Sequence, residues 1–95
     1  MRDTKVIGKT ESGFDFTIDV RVIQDMEFLE MLGEVDANPL LMPKLCEKML
    51  GKAGKKALYD FVRDEDGFVT AEAIAPVITE IMKAASEKSK EIKNS

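Results

Sequence analysis

The sequence predicts a mostly helical α+β domain, with an N-terminal β-hairpin packed on about four helices. Three observations predict it. Residues 14–20, FDFTIDV, alternate apolar and polar, the period of a strand with one buried face. From Asp25 onward the apolar residues return every three or four positions, the period of an amphipathic helix. That helical pattern is punctuated at Asp36-Ala37-Asn38-Pro39, at Gly51 and at Asp64-Glu65-Asp66-Gly67. Residues 1–86 are expected to form one globular unit, with the hairpin in 1–20 and the helices in 25–86. Residues 87–95 are polar apart from Ile92 and are expected to be a helical extension or a mobile tail.

The hairpin rests on TKVIGKT, a run rich in β-formers, the turn ESG, and the alternating run after it. Phe14, Phe16, Ile18 and Val20 share one parity, and Asp15, Thr17 and Asp19 the other. Two strands alone are marginal in water, so the apolar parity must lie on the helices. Asp25 is the expected N-cap of the first helix, whose stripe is Phe28, Met31, Leu32 and Val35, widened by Leu29. Pro39 disfavours helical geometry in the residue before it and ends that helix. Asn38 and Pro39 then form a cap and first-position pair for the second helix, PLLMPKLCEKMLG. Its stripe is Met42, Leu45, Cys46 and Met49, with Leu41 and Leu50 beside it, and Gly51 is the stop. A third helix over 53–63 presents Ala57, Leu58, Phe61 and Val62. Thr70 is the expected cap of the last helix, with Ile74, Val77, Ile78, Ile81 and Ala85 as its stripe and Met82 at the edge. Pro76 predicts a kink there or a later start.

Ninety-five residues make one small domain without room for a second core. A net charge of −4 argues against general binding to nucleic acid or anionic membranes, which needs a basic surface. The opening MRDTKVIGKT lacks an apolar signal region, and no apolar run is long enough to span a bilayer. A soluble, intracellular protein is expected. The single cysteine, Cys46, and the absence of histidine remove the usual zinc sites and every histidine-dependent catalytic scheme. No enzyme and no cofactor is expected.

Two motifs invite chemistry and lose it on inspection. RDEDGFVTAE (63–72) looks like half of a calcium loop, but aligning Gly67 with the invariant sixth position puts Val62 at the first and Ala73 at the twelfth. The bidentate glutamate is missing, and Glu72 sits one residue early, about 100° around a helix. GKAGKK (51–56) faintly resembles a phosphate-binding loop, but Met49 stands where a glycine is needed and Lys56 where Ser or Thr is needed. Each reads as helix punctuation.

Charge and methionine are the more informative signals. Between Val22 and Asn38 lie five acids, Asp25, Glu27, Glu30, Glu34 and Asp36, and no base; between Lys44 and Lys56 lie five lysines and one acid, Glu47. The plain reading is two neighbouring helices that attract each other, and the functional one is a bipolar surface that orients a protein partner. Methionine fills gaps in cores and also serves adaptable binding surfaces. Stripe positions favour the core, yet the second helix is apolar around so much of its circumference that part of it is expected to stay uncovered. Phe28, Met31, Met42 and Met49 are the candidate partner-binding residues.

The run FDFTIDVRVIQDMEFLEMLGEVDANPLLMPKLCEKMLG, then ALYDFVRDEDGFVTAEAIAPVITEIM and the closing KNS, resembles the small tail assembly chaperones of long-tailed bacteriophages and prophages of Gram-positive bacteria. The likeness spans nearly the whole chain and rests on the order of elements: an F-x-I-D strand end, an acidic helix, NPL-x-x-P-K, a Leu-Gly stop, RDEDG, and a last helix with a polar tail. It implies a non-enzymatic chaperone that coats the tape-measure protein and recruits tail-tube subunits during tail polymerisation, in the host cytoplasm, and that is absent from the mature virion. It also implies a short form of a pair made by ribosomal frameshifting, with which Ile92-Lys93-Asn94 is compatible, and possible self-association. The alternative is a small phage-encoded interaction or regulatory protein acting on a host protein.

Overall fold

A computed structural model describes residues 4–94. Strand β1 (Lys5–Lys9) pairs antiparallel with β2 (Asp15–Asp19) in the register Lys5–Asp19, Val6–Ile18, Ile7–Thr17, Gly8–Phe16 and Lys9–Asp15. The turn between them is held from Thr10. Its N–H donates to the Phe14 carbonyl at 2.9 Å, its carbonyl accepts from Gly13 N at 3.0 Å, and its hydroxyl accepts from Phe14 N at 2.9 Å. These bonds let Thr10 be buried, the one such polar residue among the described residues, since a buried hydroxyl must be partnered. The predicted parity is observed: Phe14, Phe16, Ile18 and Val20 are buried with Val6, while Ile7 on the opposite face is 78 % exposed. A Cβ on Gly8 would lie 2.7 Å from Phe16 Cζ, so the Phe16 ring occupies the space a side chain there would take.

A 3-10 turn (Val22–Gln24) leads into α1 (Met26–Glu34). Asp25 caps α1, its carboxylate accepting from Phe28 N at 3.1 Å. A second 3-10 turn (Pro39–Leu41) precedes α2 (Met42–Val62), and α3 (Ala71–Asn94) closes the chain. Two expectations at this junction are corrected. The second helix begins at Met42, and Asn38 makes no side-chain capping bond. Pro43 supplies the reason: in a helix started at Pro39 its ring would meet the carbonyl four residues back, whereas near the start of α2 its missing N–H is harmless.

Gly51 divides α2 into two arms. Its backbone, at φ 77° and ψ 174°, is non-helical and lies in a region essentially reserved for glycine. The third expected helix therefore follows the second with a single residue between them, as a second arm of α2. At the 63–70 loop, Asp64 Oδ1 accepts from Asp66 N and Phe68 N, both at 2.9 Å, and Arg63 Nη1 donates to the Gly67 carbonyl at 2.9 Å. Asp64 is thus occupied by the loop's own backbone. Thr70 caps α3, its hydroxyl accepting from Ala73 N at 3.2 Å. Pro76 sits inside α3 on its exposed side, and α3 continues through the polar segment to Asn94; Ser95 and residues 1–3 lie outside the described residues.

The helices cover the inner face of the hairpin, α3 against β1 and α2 against β2, while α1 packs on α2. Phe28, Ile18, Leu45, Leu58, Ile81 and Cys46 are the largest of the fully buried side chains among the described residues. Beyond the rim of this core, Phe61 is 42 % exposed, yet its ring centroid lies 5.3 Å from that of Phe14 with the planes tilted by 48°, a favourable aromatic geometry. No helix among the described residues is long and apolar enough to cross a membrane.

Two glycines should respond to alanine with opposite signs. Gly51→Ala is expected to lower unfolding free energy by about 1–3 kcal/mol, because alanine is strained at that backbone geometry. Gly33 lies within α1 with nothing within 4 Å of an added Cβ, so Gly33→Ala should raise stability by up to about 1 kcal/mol through helix propensity. Urea unfolding of the two variants beside the unaltered chain measures both; stabilisation by Gly51→Ala would contradict the kinked α2.

Candidate partner-binding surface

The four residues singled out from sequence separate in the structure. Phe28 and Met49 are core residues, 0 % and 2 % exposed, which corrects their expected role as partner contacts. Helical spacing marks a residue as belonging to the apolar stripe, and in both cases the stripe is covered by the chain's own hairpin and helices. Met31 and Met42 are half-buried and pack against the edge of the core. Met49 touches the floor of a cleft beside β2, and Met42 lies on two others.

Two clefts meet at Met42. One, of about 200 Å³, is lined by Pro39, Met42, Pro43, Tyr59, Val69 and Ile74 among others. Its neighbour, of about 220 Å³, is lined by Leu32, Val35, Met42, Leu45 and Ile78 together with Asp36. The residues adjoining the first cleft in sequence are the most conspicuous apolar side chains of this end: Leu40 is 86 % exposed and Phe68 66 %. The sequence places Leu40 in a helix, and leaves either Phe68 or Val69 to pack the 63–70 loop back on the core. The 3-10 geometry of Pro39–Leu41 instead turns Leu40 outward, and Val69, half-buried against the core, is the residue that staples the loop. An apolar surface of this kind, with flexible methionine between two clefts, is suited to a partner's apolar side chains.

The expected attraction between the acidic and basic segments is realised once. Lys48 Nζ lies 3.1 Å from Asp25 Oδ2, tying the start of α1 to α2. This contact, first, and then the Phe28 N–H hold the Asp25 carboxyl below the usual carboxylate range, against a partial opposing effect of desolvation. Asp60 is lowered by Lys56 and Arg63, and Asp19 strongly by Arg21. Glu27, Glu30, Glu34 and Asp36 enter no ion pair among the described residues.

A roomier cleft, about 390 Å³ between the hairpin turn and α3, is of another character. Its walls carry Lys9, Glu11, Glu80, Lys83 and Glu87 with two threonines, and Ser12 Oγ donates to Glu80 Oε2 across it at 2.7 Å. No group of three or more metal-capable side chains converges among the described residues. Cys46 is buried, and desolvation pushes its thiol up to about 11. Comparisons with family models, with curated proteins and with solved structures found no match to this chain.

Two measurements follow from these groups. A lowered carboxyl stabilises the fold above its unfolded pKa and loses that contribution as pH falls through the folded value. The urea midpoint should therefore fall as pH drops from about 5 to 3, and Asp25→Asn, which keeps a capping oxygen but no charge, should flatten part of that fall. For Cys46 the sign reverses, because the unfolded thiol ionises first. Stability should decline from about pH 8.5 upward, and Cys46→Ala should remove that decline. At pH 8 a thiol reagent should modify the native protein only as fast as it opens, so rapid labelling without denaturant would contradict the burial of Cys46.

Proposed function

We propose that this chain is a non-enzymatic tail assembly chaperone that binds tape-measure and tail-tube proteins during polymerisation of a phage tail, acting in the host cytoplasm and leaving before the virion is complete. The observation that carries the reading is the apolar end around Met42, where Leu40 and Phe68 stand in water beside two clefts. A monomeric chain has little structural use for two large apolar residues so exposed at one end. The order of sequence elements described above supports the same reading, since it resembles that of the small tail assembly chaperones.

The physical task fits the surface. A long helical client with apolar stripes needs cover before assembly, and the tube must be able to displace that cover. Helix-in-groove docking on a small apolar face gives a modest interface. Repetition of such contacts along one extended client adds avidity while each remains reversible. Flexible methionine at the junction of the clefts lets one surface accept several client segments.

Co-purification is the direct test. The tagged chain should retain the tail-tube or tape-measure product encoded by the same genetic element. Leu40→Asp with Phe68→Asp should weaken that capture by about tenfold or more, with stability changed by no more than about 0.5 kcal/mol per site, as for exposed positions. Retention of neither product, with both soluble, would sink the reading. Capture of one host protein, lost in the same double variant, would favour the regulatory alternative.

A further inference from the structure

The hairpin leaves part of its backbone without a partner. Val20 N donates to the Thr4 carbonyl and Thr10 N to the Phe14 carbonyl, each at 2.9 Å. Bonded and non-bonded pairs alternate along an antiparallel ladder, so in this register Val6–Ile18 and Gly8–Phe16 are the other bonded pairs. Asp15, Thr17 and Asp19 fall in the non-bonded pairs, and their N–H and C=O groups point away from β1. No further strand of the described residues lies beyond β2. None of the three makes a backbone hydrogen bond to another element among those residues. The outer edge of β2 thus presents donors and acceptors at the spacing of a strand, which another extended backbone matches.

Two clefts of about 260 and 290 Å³ lie along that edge and run on from one another, since Thr17 and Leu50 line both. Their helical wall is α2 on either side of its break, small and apolar at Leu50, Gly51, Ala53, Gly54 and Ala57. The one cation on this wall, Lys48, is held by Asp25 at 3.1 Å. The cleft at the end of β1 differs, being walled by Glu80 and Lys83. On the outer face, Asp15 is exposed and enters no ion pair among the described residues. Asp19 is already engaged, with Arg21 Nε at 3.0 Å and Nη2 at 2.6 Å.

We propose that the β2 edge takes up an extended segment of another protein as a third strand, selecting one whose side chains alternate basic and apolar. In an antiparallel addition, the segment's residues opposite Asp15, Thr17 and Asp19 exchange both backbone bonds with them and project on the outer face. Those between project inward, into the trough against α2. A lysine or arginine opposite Asp15 meets an unpaired carboxylate, and valine-sized side chains suit a wall of alanine and glycine. The β2 strand of a second copy fits poorly, because pairing about Thr17 sets Asp15 opposite Asp19, and like charges directly opposite are destabilising. A short edge with two acids also resists indiscriminate pairing, so charge chooses the occupant. The trough shares no lining residue with the clefts at Met42, and the inference holds or fails whether or not the chain is a tail assembly chaperone.

The experiment uses the purified full chain, isotope-labelled for NMR, and a short synthetic peptide alternating lysine with valine. Saturating peptide should slow amide exchange at Asp15, Thr17 and Asp19 by about tenfold or more. Methylating the peptide's lysine amides, which face β2, should abolish binding. Methylating its valine amides, which face away, should leave affinity within about threefold. Asp15→Lys should weaken the lysine–valine peptide by about fivefold or more and favour a glutamate–valine counterpart. Ala53→Glu should weaken it as well, by filling the trough. Circular dichroism melting checks that both variants remain folded, and Asp15→Asn and Ala53→Gln replace either that does not. The proposal is overturned by no binding up to about 1 mM, by binding that leaves the three amides unprotected, or by binding that survives methylation of the lysine amides. Protection that appears in the chain alone and grows with its concentration gives the edge to a second copy and overturns it too.

Discussion

A two-stranded hairpin has one apolar face and cannot cover it, and the architecture of this molecule follows from that deficit. Val6, Phe14, Phe16, Ile18 and Val20 all lie on the inner side, a continuous surface whose exposure to water would cost on the order of 1.5–3 kcal/mol for each large side chain. No further strand of the described residues joins the sheet, so helices must supply the cover. The chain uses two, α3 under β1 and α2 under β2, and α1 then closes over α2.

Gly51 makes this economical in residues. A straight helix over the whole of 42–62 could face the sheet along only one line. By breaking at a single residue with glycine-only geometry, α2 keeps Leu45, Cys46 and Met49 on the core in its first arm and Leu58 in its second. Beside β2 the second arm leaves a groove of about 290 Å³, lined by Ile7, Phe14, Leu50 and Ala57 among others. Phe14 bridges the two roles, buried beneath the sheet and in contact with the partly exposed Phe61.

Much of this was legible in the sequence because the signals were local. Strand parity, the caps Asp25 and Thr70, and the break at Gly51 each depend on residues within one turn of the feature they set. Where a neighbour decided the outcome, the reading failed. Pro43 moved the start of α2 by excluding the turn before it, which no stripe reveals. Phe28 and Met49 belong to the apolar stripe as expected, but periodicity states that a face is apolar without saying what covers it. Leu40 and Phe68 escaped notice for the complementary reason, lying in a 3-10 turn and a loop where helical spacing has no meaning. Leu40 follows a proline before the first helical residue, and that position was the available clue.

The contact between β1 and α3 joins the beginning of the chain to its end, and the bond from Ser12 to Glu80 spans 68 residues. Synthesis proceeds from the other direction in time. The hairpin is synthesised before the helix that shelters half of it, so Phe16 and Ile18 lack that cover until α3 has been made. Local helical contacts form early, whereas closing this longest loop bears the greatest entropic penalty. The inner face of the hairpin is thus fully covered only once α3 docks on β1, a closure between segments far apart in sequence.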